Sequence, residues 1–313
     1  MDLIADIGGT NTRCAIVDDD GSLVVPQTFE NATFRNLQTV LSRYLDDNEN
    51  LGAPDRAALA IAAPVLGDSV QMVNADWKFS QAELRNALGL SSLTVVNDFE
   101  ALARSLPMLD DTRLTQIGGG TPVERAPRAV LGPGTGLGIA ALIPAGKDWA
   151  VVSGEGGHAT IAATTDIENA VVSVVRSRNG HCSAEDLLSG PGLTRIYTAL
   201  AEIRDETPEY ATPAEITAAA QAGEALARAT QNVFFSLLGT AAGNLALTVN
   251  AFGGVFIGGG IVPRLLPSLM ESDFRLRFED KGKYRDFMKP IPTFVITDPH
   301  PAFAGLRAIL GSL

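Results

Sequence analysis

The sequence predicts an α/β protein with a duplicated core, and three observations carry that expectation. First, LIADIGGTNTRCAIV (Leu3–Val17) reads as an apolar strand, a glycine/threonine turn and a second apolar strand. Second, RAVLGPGTGLGIAAL (Arg128–Leu142) repeats that scheme with little sequence identity, so the echo is one of architecture. Third, strand patterns alternate with helical ones after each copy, as in layered α/β proteins. With 313 residues, 46% hydrophobic and 19% charged, the chain can bury a large core or two smaller ones and is not of disordered composition.

Taken in order, Leu3–Ile7 and Arg13–Val17 are strands either side of a tight glycine turn, DDDG at Asp18–Gly21 turns again, and SLVVPQTF continues as a third strand. FRNLQTVLSRYLDD has helical spacing, with Leu37, Val40, Leu41 and Tyr44 on one face. AALAIAAPV is a buried strand ending at Pro64, and SQAELRNALG a helix with Ser80 at its N-cap and Gly89 at its C-cap. LTVV is another strand, and DFEALARSLP a helix stopped by Pro107. The turn-rich stretch 109–128 reads as a domain boundary.

Beyond the repeated hairpin, IRDETPEYATPAE reads as an exposed connection, and the alanine-rich run after it as one long helix or two in series. GGVFIGGGIVPR is a strand, a triple-glycine turn and a helix with Pro263 in its first turn, and Arg277–Met288 (RFEDKGKYRDFM) a solvated charged face.

A net charge of −12 argues against non-specific nucleic-acid binding, which needs a basic face to displace counterions. Two cysteines, Cys14 and Cys182, build no disulfide framework, and a reducing cytoplasm is the expected compartment. No secretory leader is legible in the first 20 residues. Asn244–Val262 is apolar, but two asparagines and clustered glycines interrupt it, so no membrane span is expected there.

Glycine turns bind phosphate where their amides converge, because each exposed N–H donates and the missing side chain permits close approach. Three are present: Gly8-Gly9-Thr10-Asn11, Gly132–Gly138 and Gly258-Gly259-Gly260. Each alone is an ordinary turn; together, two with a threonine and one behind the strand acid Asp6, they point to phosphate. No Walker sequence exists, since Gly146-Lys147 runs into Asp148. GEGGHA (Gly154–Ala159) matches a dinucleotide spacing, but TIAATTD after it does not start a helix. The paired sequences of protein kinases are missing too.

A second constellation is polar. Asn97 and Asp98 stand where a strand feeds a helix, Glu155 and His158 flank two glycines, and Glu185 precedes a Ser-Gly-Pro-Gly turn. Helix capping explains Asp98 equally well, and exposure explains Glu185. His181-Cys182 lacks partners at zinc-ligand spacing. As a group, one Asn, one Asp, two Glu and one His suit a ligand with many hydroxyls, and a carboxylate among them can deprotonate a hydroxyl attacking phosphorus.

Across nearly its whole length the chain resembles the bacterial glucokinases, ATP-dependent sugar kinases of the two-domain hexokinase/actin-like (ribonuclease H-like) α/β fold. DIGGTN, AAPVLGD, NADWKFS, NDFEALARSLP, GPGTGLG, GEGGH, SAEDLLSGPG and FGGVFIGGGIVPR carry the resemblance in order. It implies a small domain of residues 1–108 completed by a C-terminal helix at 299–313, a large domain at 109–298, and glucose in the cleft, with closure over the sugar expelling water. It implies Asp98 as the general base for the sugar 6-hydroxyl, with Asn97, Glu155, His158 and Glu185 holding the other hydroxyls. Gly8, Gly9, Thr10, Asn11, Gly134, Thr135 and Gly136 would flank the ATP phosphates, Gly258 and Gly259 the adenosine, and Asp6 would hold Mg²⁺ through water. A cytoplasmic homodimer that catalyses the entry step of glycolysis is the family expectation. The related repressor-and-kinase family carries a cysteine cluster that is missing here, and Ala302 and Ala304 stand where relatives show glycine or larger residues, which leaves packing of the last helix open. Rival expectations are a kinase for another hexose or with polyphosphate as donor, a non-catalytic sugar sensor, and an ATPase without sugar. Asp6 lies so near the start that no DNA-binding segment is expected ahead of it.

Overall fold

The structure, a computed structural model, describes residues 1–72 and 77–311, so Asn74, Ala75 and Asp76 of the NADWKFS stretch lie outside the described residues. The chain forms two compact units, Met1–Asp110 with the segment from Asp298 onward, and Asp111–Thr297.

In the first unit β1 (Asp2–Ile7), β2 (Asn11–Val17) and β3 (Leu23–Glu30) pair antiparallel. After α1 (Leu37–Asp47), β4 (Arg56–Ile61) returns parallel to β1. A hairpin of β5 (Ser69–Gln71) and β6 (Lys78–Ser80) leads to α2 (Gln81–Ala87), then β7 (Ser92–Asn97), parallel to β4, and α3 (Asp98–Ser105). The sheet order is β3-β2-β1-β4-β7. After Arg56, β4 is apolar and buried from Ala57 to Ile61, because helices cover both faces of a parallel core strand. Strand alternation sends Leu3, Ala5 and Ile7 toward Leu37, Val40, Leu41 and Tyr44 of α1, and Ile4 toward α3 and the C-terminal helix. Asp6 shares the parity of Ile4, so its carboxylate emerges on that second face. Ser80 caps α2 as expected, while α3 ends at Ser105 and Pro107 falls in a short 3₁₀ turn.

The second unit holds β8 (Leu114–Gly118), β9 (Arg128–Pro133), β10 (Leu137–Ala145) and β11 (Asp148–Gly154). There follow α4 (Asp166–Asn179), α5 (Ala184–Leu187), α6 (Gly190–Arg204), α7 (Pro213–Gln221) and α8 (Ala225–Val249). β12 (Val255–Ile257), α9 (Leu266–Met270), α10 (Phe274–Glu279), α11 (Arg285–Met288) and β13 (Thr293–Ile296) complete it. In the order β11-β10-β9-β12-β13-β8, the first three strands pair antiparallel and β9, β12 and β13 run parallel, which repeats the plan of the first sheet. The repeated hairpin thus marks a duplicated sheet. β8 is the addition, an antiparallel edge strand inside the stretch read from sequence as turns; its short LTQIG run is too polar to stand out.

The alanine-rich segment forms two helices in series, α7 and α8, separated at Gly223 (φ +93°). Pro213–Glu215, read as exposed connection, instead opens α7, where Thr212 and Glu215 make a capping box. α8 is long and apolar enough to cross a membrane, but Phe234, Phe235, Leu237 and Leu238 are fully buried in the core of this unit. Asn244–Val262 is no single helix, since it spans the end of α8, a turn, β12 and the triple-glycine turn. Pro263 sits in a 3₁₀ turn, Val262–Leu265, ahead of α9. Arg277–Met288 also departs from expectation, because Arg277, Phe278 and Met288 are buried. Arg277 binds Glu168 at 3.1 Å, Thr240 at 3.1 Å and Thr164, so a buried charge is neutralised and hydrogen-bonded where helical charge patterning alone suggests solvent.

The C-terminal helix α12 (Pro301–Gly311) belongs to the first unit and packs on α3. Close approach requires Gly305, since a Cβ there would stand 1.8 Å from the Ala101 carbonyl oxygen. Arg56 ties the helix down, binding both Asp2 carboxylate oxygens and the Leu310 carbonyl at 3.1 Å. Ala302 is buried here, so alanine suffices at that position while glycine is needed at 305.

Candidate active site

In the first unit, register places Ile7, Ile61 and Asn97 in one row across β1, β4 and β7. Asp6 and Asp98 flank that row at the carboxyl edge of the parallel strands, two strand spacings or about 10 Å apart laterally. Ligands gather at such edges in open α/β sheets. Asn97 is the N-cap of α3, its Oδ1 accepting from the Phe99 amide at 2.9 Å and its Nδ2 donating to the Ala63 carbonyl at 3.3 Å. Asp98 follows in the first turn and also accepts from the Phe99 amide, at 3.0 Å. Capping is thus mainly the work of Asn97, and both side chains remain half-exposed.

Asp6 accepts from Arg13 at 3.2 Å. Burial lifts its carboxyl above the ordinary carboxylate value, with the Arg13 guanidinium and His300 opposing. The carboxylate still keeps 21% of its side chain open, which suits a metal reached through water. The turn after it closes with Gly8 N–H donating to the Asn11 carbonyl at 2.9 Å and leaves Thr10 exposed. Asn31 braces this turn, its amide donating to the Gly8 carbonyl and its Oδ1 accepting from Thr12, both at 2.8 Å. Neither Asn31 nor Arg13 is singled out by any sequence pattern. Arg13 could have been suspected from its antiparallel pairing opposite Asp6.

In the second unit two glycine turns end neighbouring parallel strands, β9 and β12. Gly258 donates to the Leu131 carbonyl at 2.8 Å, and a Cβ on Gly259 (φ +78°) would stand 2.3 Å from the Pro133 carbonyl oxygen. The turns are therefore packed backbone to backbone. Cβ atoms on Gly134 or Gly260 would meet nothing within 4 Å, and Thr135 and Gly259 are exposed. Open backbone of this kind fits a nucleotide phosphate or sugar approaching closely.

His158 and Glu185 come together in the same unit, with Glu155 on the segment that carries His158. Glu155 and His158 bracket a 3₁₀ turn after β11. An isolated bridge between Thr160 and Ser183, with Ala184 N–H donating to the Ala159 carbonyl at 2.8 Å, stitches this segment to the start of α5. His158 Nδ1 lies 3.9 Å from Glu185 Oε1 as a result, and both remain accessible. Ser183 and Asp186 cap α5 reciprocally and hold Glu185 in place. Cys182 is buried, and burial pushes its thiol up to about 11, a poor state for a thiolate metal ligand.

The sequence model of the Glucokinase family matches residues 3–312. The chain belongs to the glucokinase family. It is 43% identical to the glucokinase of Paramagnetospirillum magneticum, covering 99% of this chain and 97% of that one. It is 45% identical to the bifunctional protein glk of Paraburkholderia xenovorans over 98% of this chain and 48% of that protein, so it spans about half the length of such relatives. The crystal structure of a glucokinase from an Antarctic psychrotroph superposes with a TM-score of 0.88 at 38% identity, covering 100% of this chain and 99% of that one. The glucokinase family's hexokinase/actin-like fold is thus the fold of this chain, duplicated sheet included.

Proposed function

We propose that the protein transfers the γ-phosphoryl group of ATP to the 6-hydroxyl of D-glucose. The observation that carries this reading is the shared carboxyl edge of one sheet, where Asp98 follows β7 and Asp6 with its glycine turn ends β1. The near-full-length likeness to a chain named glucokinase supports glucose as the sugar. Asp98 accepts the hydroxyl proton as the sugar oxygen bonds to phosphorus and the bond from phosphorus to the ADP oxygen breaks. Asn97, Glu155, His158 and Glu185 would fix the sugar by hydrogen bonds to its remaining hydroxyls.

The backbone of Gly8–Asn11 and Gly134–Gly136 would position the phosphates, and Gly258 and Gly259 would lie by the adenosine. Bound Mg²⁺ would neutralise phosphate charge, with Asp6 as the carboxylate that holds it through water. Positioning and charge neutralisation meet the main demands of phosphoryl transfer without a Walker lysine.

The test is a coupled assay of the purified protein with Mg-ATP against a panel of hexoses and a no-sugar control. Glucose-dependent ADP and glucose 6-phosphate support the reading. Preference for another hexose, or for polyphosphate over ATP, moves the specificity. Glucose binding without any transfer overturns the kinase assignment in favour of a sugar sensor, and ATP hydrolysis indifferent to sugar favours an ATPase.

A further inference from the structure

We propose that Glu185 couples the sugar site to the nucleotide site by anchoring the Gly134–Gly136 turn, an inference that rests on the sugar and nucleotide roles proposed above. One carboxylate oxygen, Oε1, faces His158 Nδ1 at 3.9 Å. The other, Oε2, accepts the backbone N–H of Leu137 at 2.8 Å, directly after the Gly-Thr-Gly turn. Charge-assisted bonds to backbone amides are among the stronger protein hydrogen bonds.

The grip has a second point. Gly190, the first residue of α6, donates its N–H to the Gly134 carbonyl at 2.8 Å, and Ser189 Oγ donates back to the Glu185 carbonyl at 2.8 Å. The segment from Glu185 to Gly190 therefore holds the turn at both ends. From the other side Gly157, next to His158, packs on the Leu137 carbonyl so closely that a Cβ would stand 2.0 Å from the oxygen. The Leu137 peptide is thus enclosed between the two segments that carry His158 and Glu185.

A hydroxyl bound by His158 and Glu185 restrains the carboxylate, and the carboxylate restrains the turn. Linkage makes this reciprocal, so a nucleotide that orders the turn strengthens sugar binding by the factor by which sugar strengthens nucleotide binding. Gly136 is the contact that reports it. A Cβ there would stand 2.4 Å from Glu185 Oε2, whereas a Cβ on Gly134 meets nothing.

Calorimetric titration with glucose alone, with the magnesium salt of a non-hydrolysable ATP analogue alone, and with each in the presence of the other tests the coupling, after circular dichroism has shown each variant folded. Gly136→Ala is expected to weaken nucleotide-free glucose binding by about tenfold or more, while Gly134→Ala keeps that affinity within about twofold whatever it does to nucleotide. Glu185→Asp keeps the charge but shortens the reach to Leu137. It is expected to weaken the analogue about threefold or more in sugar-free protein, an effect that a pure sugar ligand would not produce. Equal glucose affinity in wild type and Gly136→Ala, equal losses in the two glycine variants, or a Glu185→Asp protein with unchanged sugar-free nucleotide affinity each overturn the coupling alone. A wild-type protein that binds no glucose overturns the proposed function and the coupling together.

Discussion

The Thr12 hydroxyl donates to Asn31 Oδ1 at 2.8 Å in a fully buried contact, and the Asn31 amide in turn holds the Gly8 carbonyl. One side chain just past the end of β3 thereby shapes the first glycine turn from behind. Asn31→Ala leaves the Thr12 hydroxyl buried without this acceptor, at a cost of about 1–3 kcal/mol. If the turn positions phosphate, KM for Mg-ATP should rise about tenfold while KM for glucose stays within about twofold. Steady-state kinetics with each substrate varied separately read this out, and equal rises in both constants would exclude the assignment.

Asp98→Asn keeps the shape of the α3 start and removes the base. Turnover should fall by about 10²–10⁴, the usual contribution of general-base catalysis, with glucose affinity largely kept. The check is kcat from the coupled assay beside glucose titration, and a turnover near wild type would remove Asp98 from the mechanism.

Gly305→Ala tests how α12 is seated. Alanine is favoured over glycine inside a helix by about 1 kcal/mol, but here the methyl would press into the Ala101 carbonyl at 1.8 Å. Because that neighbour is backbone, overpacking should outweigh propensity, and a net loss of about 1–3 kcal/mol should lower Tm by several degrees. A thermal melt with unchanged or raised Tm would show that the two helices separate at little cost.

Asp186 supplies a pH prediction. Burial raises its carboxyl, but the Ser183 amide and hydroxyl, helped by Arg195 and His181, outweigh it, and the net shift is downward. A carboxyl lowered by folding contributes stability that is present above its unfolded value and is lost as pH falls through the folded one. The Tm gap between wild type and Asp186→Asn should therefore be widest near neutrality and narrow below about pH 4. A gap independent of pH would mean that the contact acts through hydrogen bonding alone.

Much of this was legible in the chain itself. The hairpins around Gly8 and Gly134 stood out because strand, glycine turn and strand are local patterns, and the helix face of Leu37, Val40, Leu41 and Tyr44 followed from spacing. The polar candidates Asn97, Asp98, Glu155, His158 and Glu185 could be picked out as residue types in unusual places. β8 could not, because an edge strand needs only one partner and its five residues are not strongly apolar. Burial of Arg277 is not legible in the sequence because what neutralises it, Glu168, lies 109 residues away.

The sequence by itself determined the α/β class, the duplication, the family and the set of candidate side chains, since each depends on order and periodicity along the chain. Only the tertiary structure decided which groups meet. It set Asn31 behind the first turn, laid the Gly259 backbone against Pro133, and joined Glu185 to the Leu137 amide. Hydrogen bonds and close backbone approaches act over about 3 Å in space, and the residues making them stand tens of positions apart in the chain.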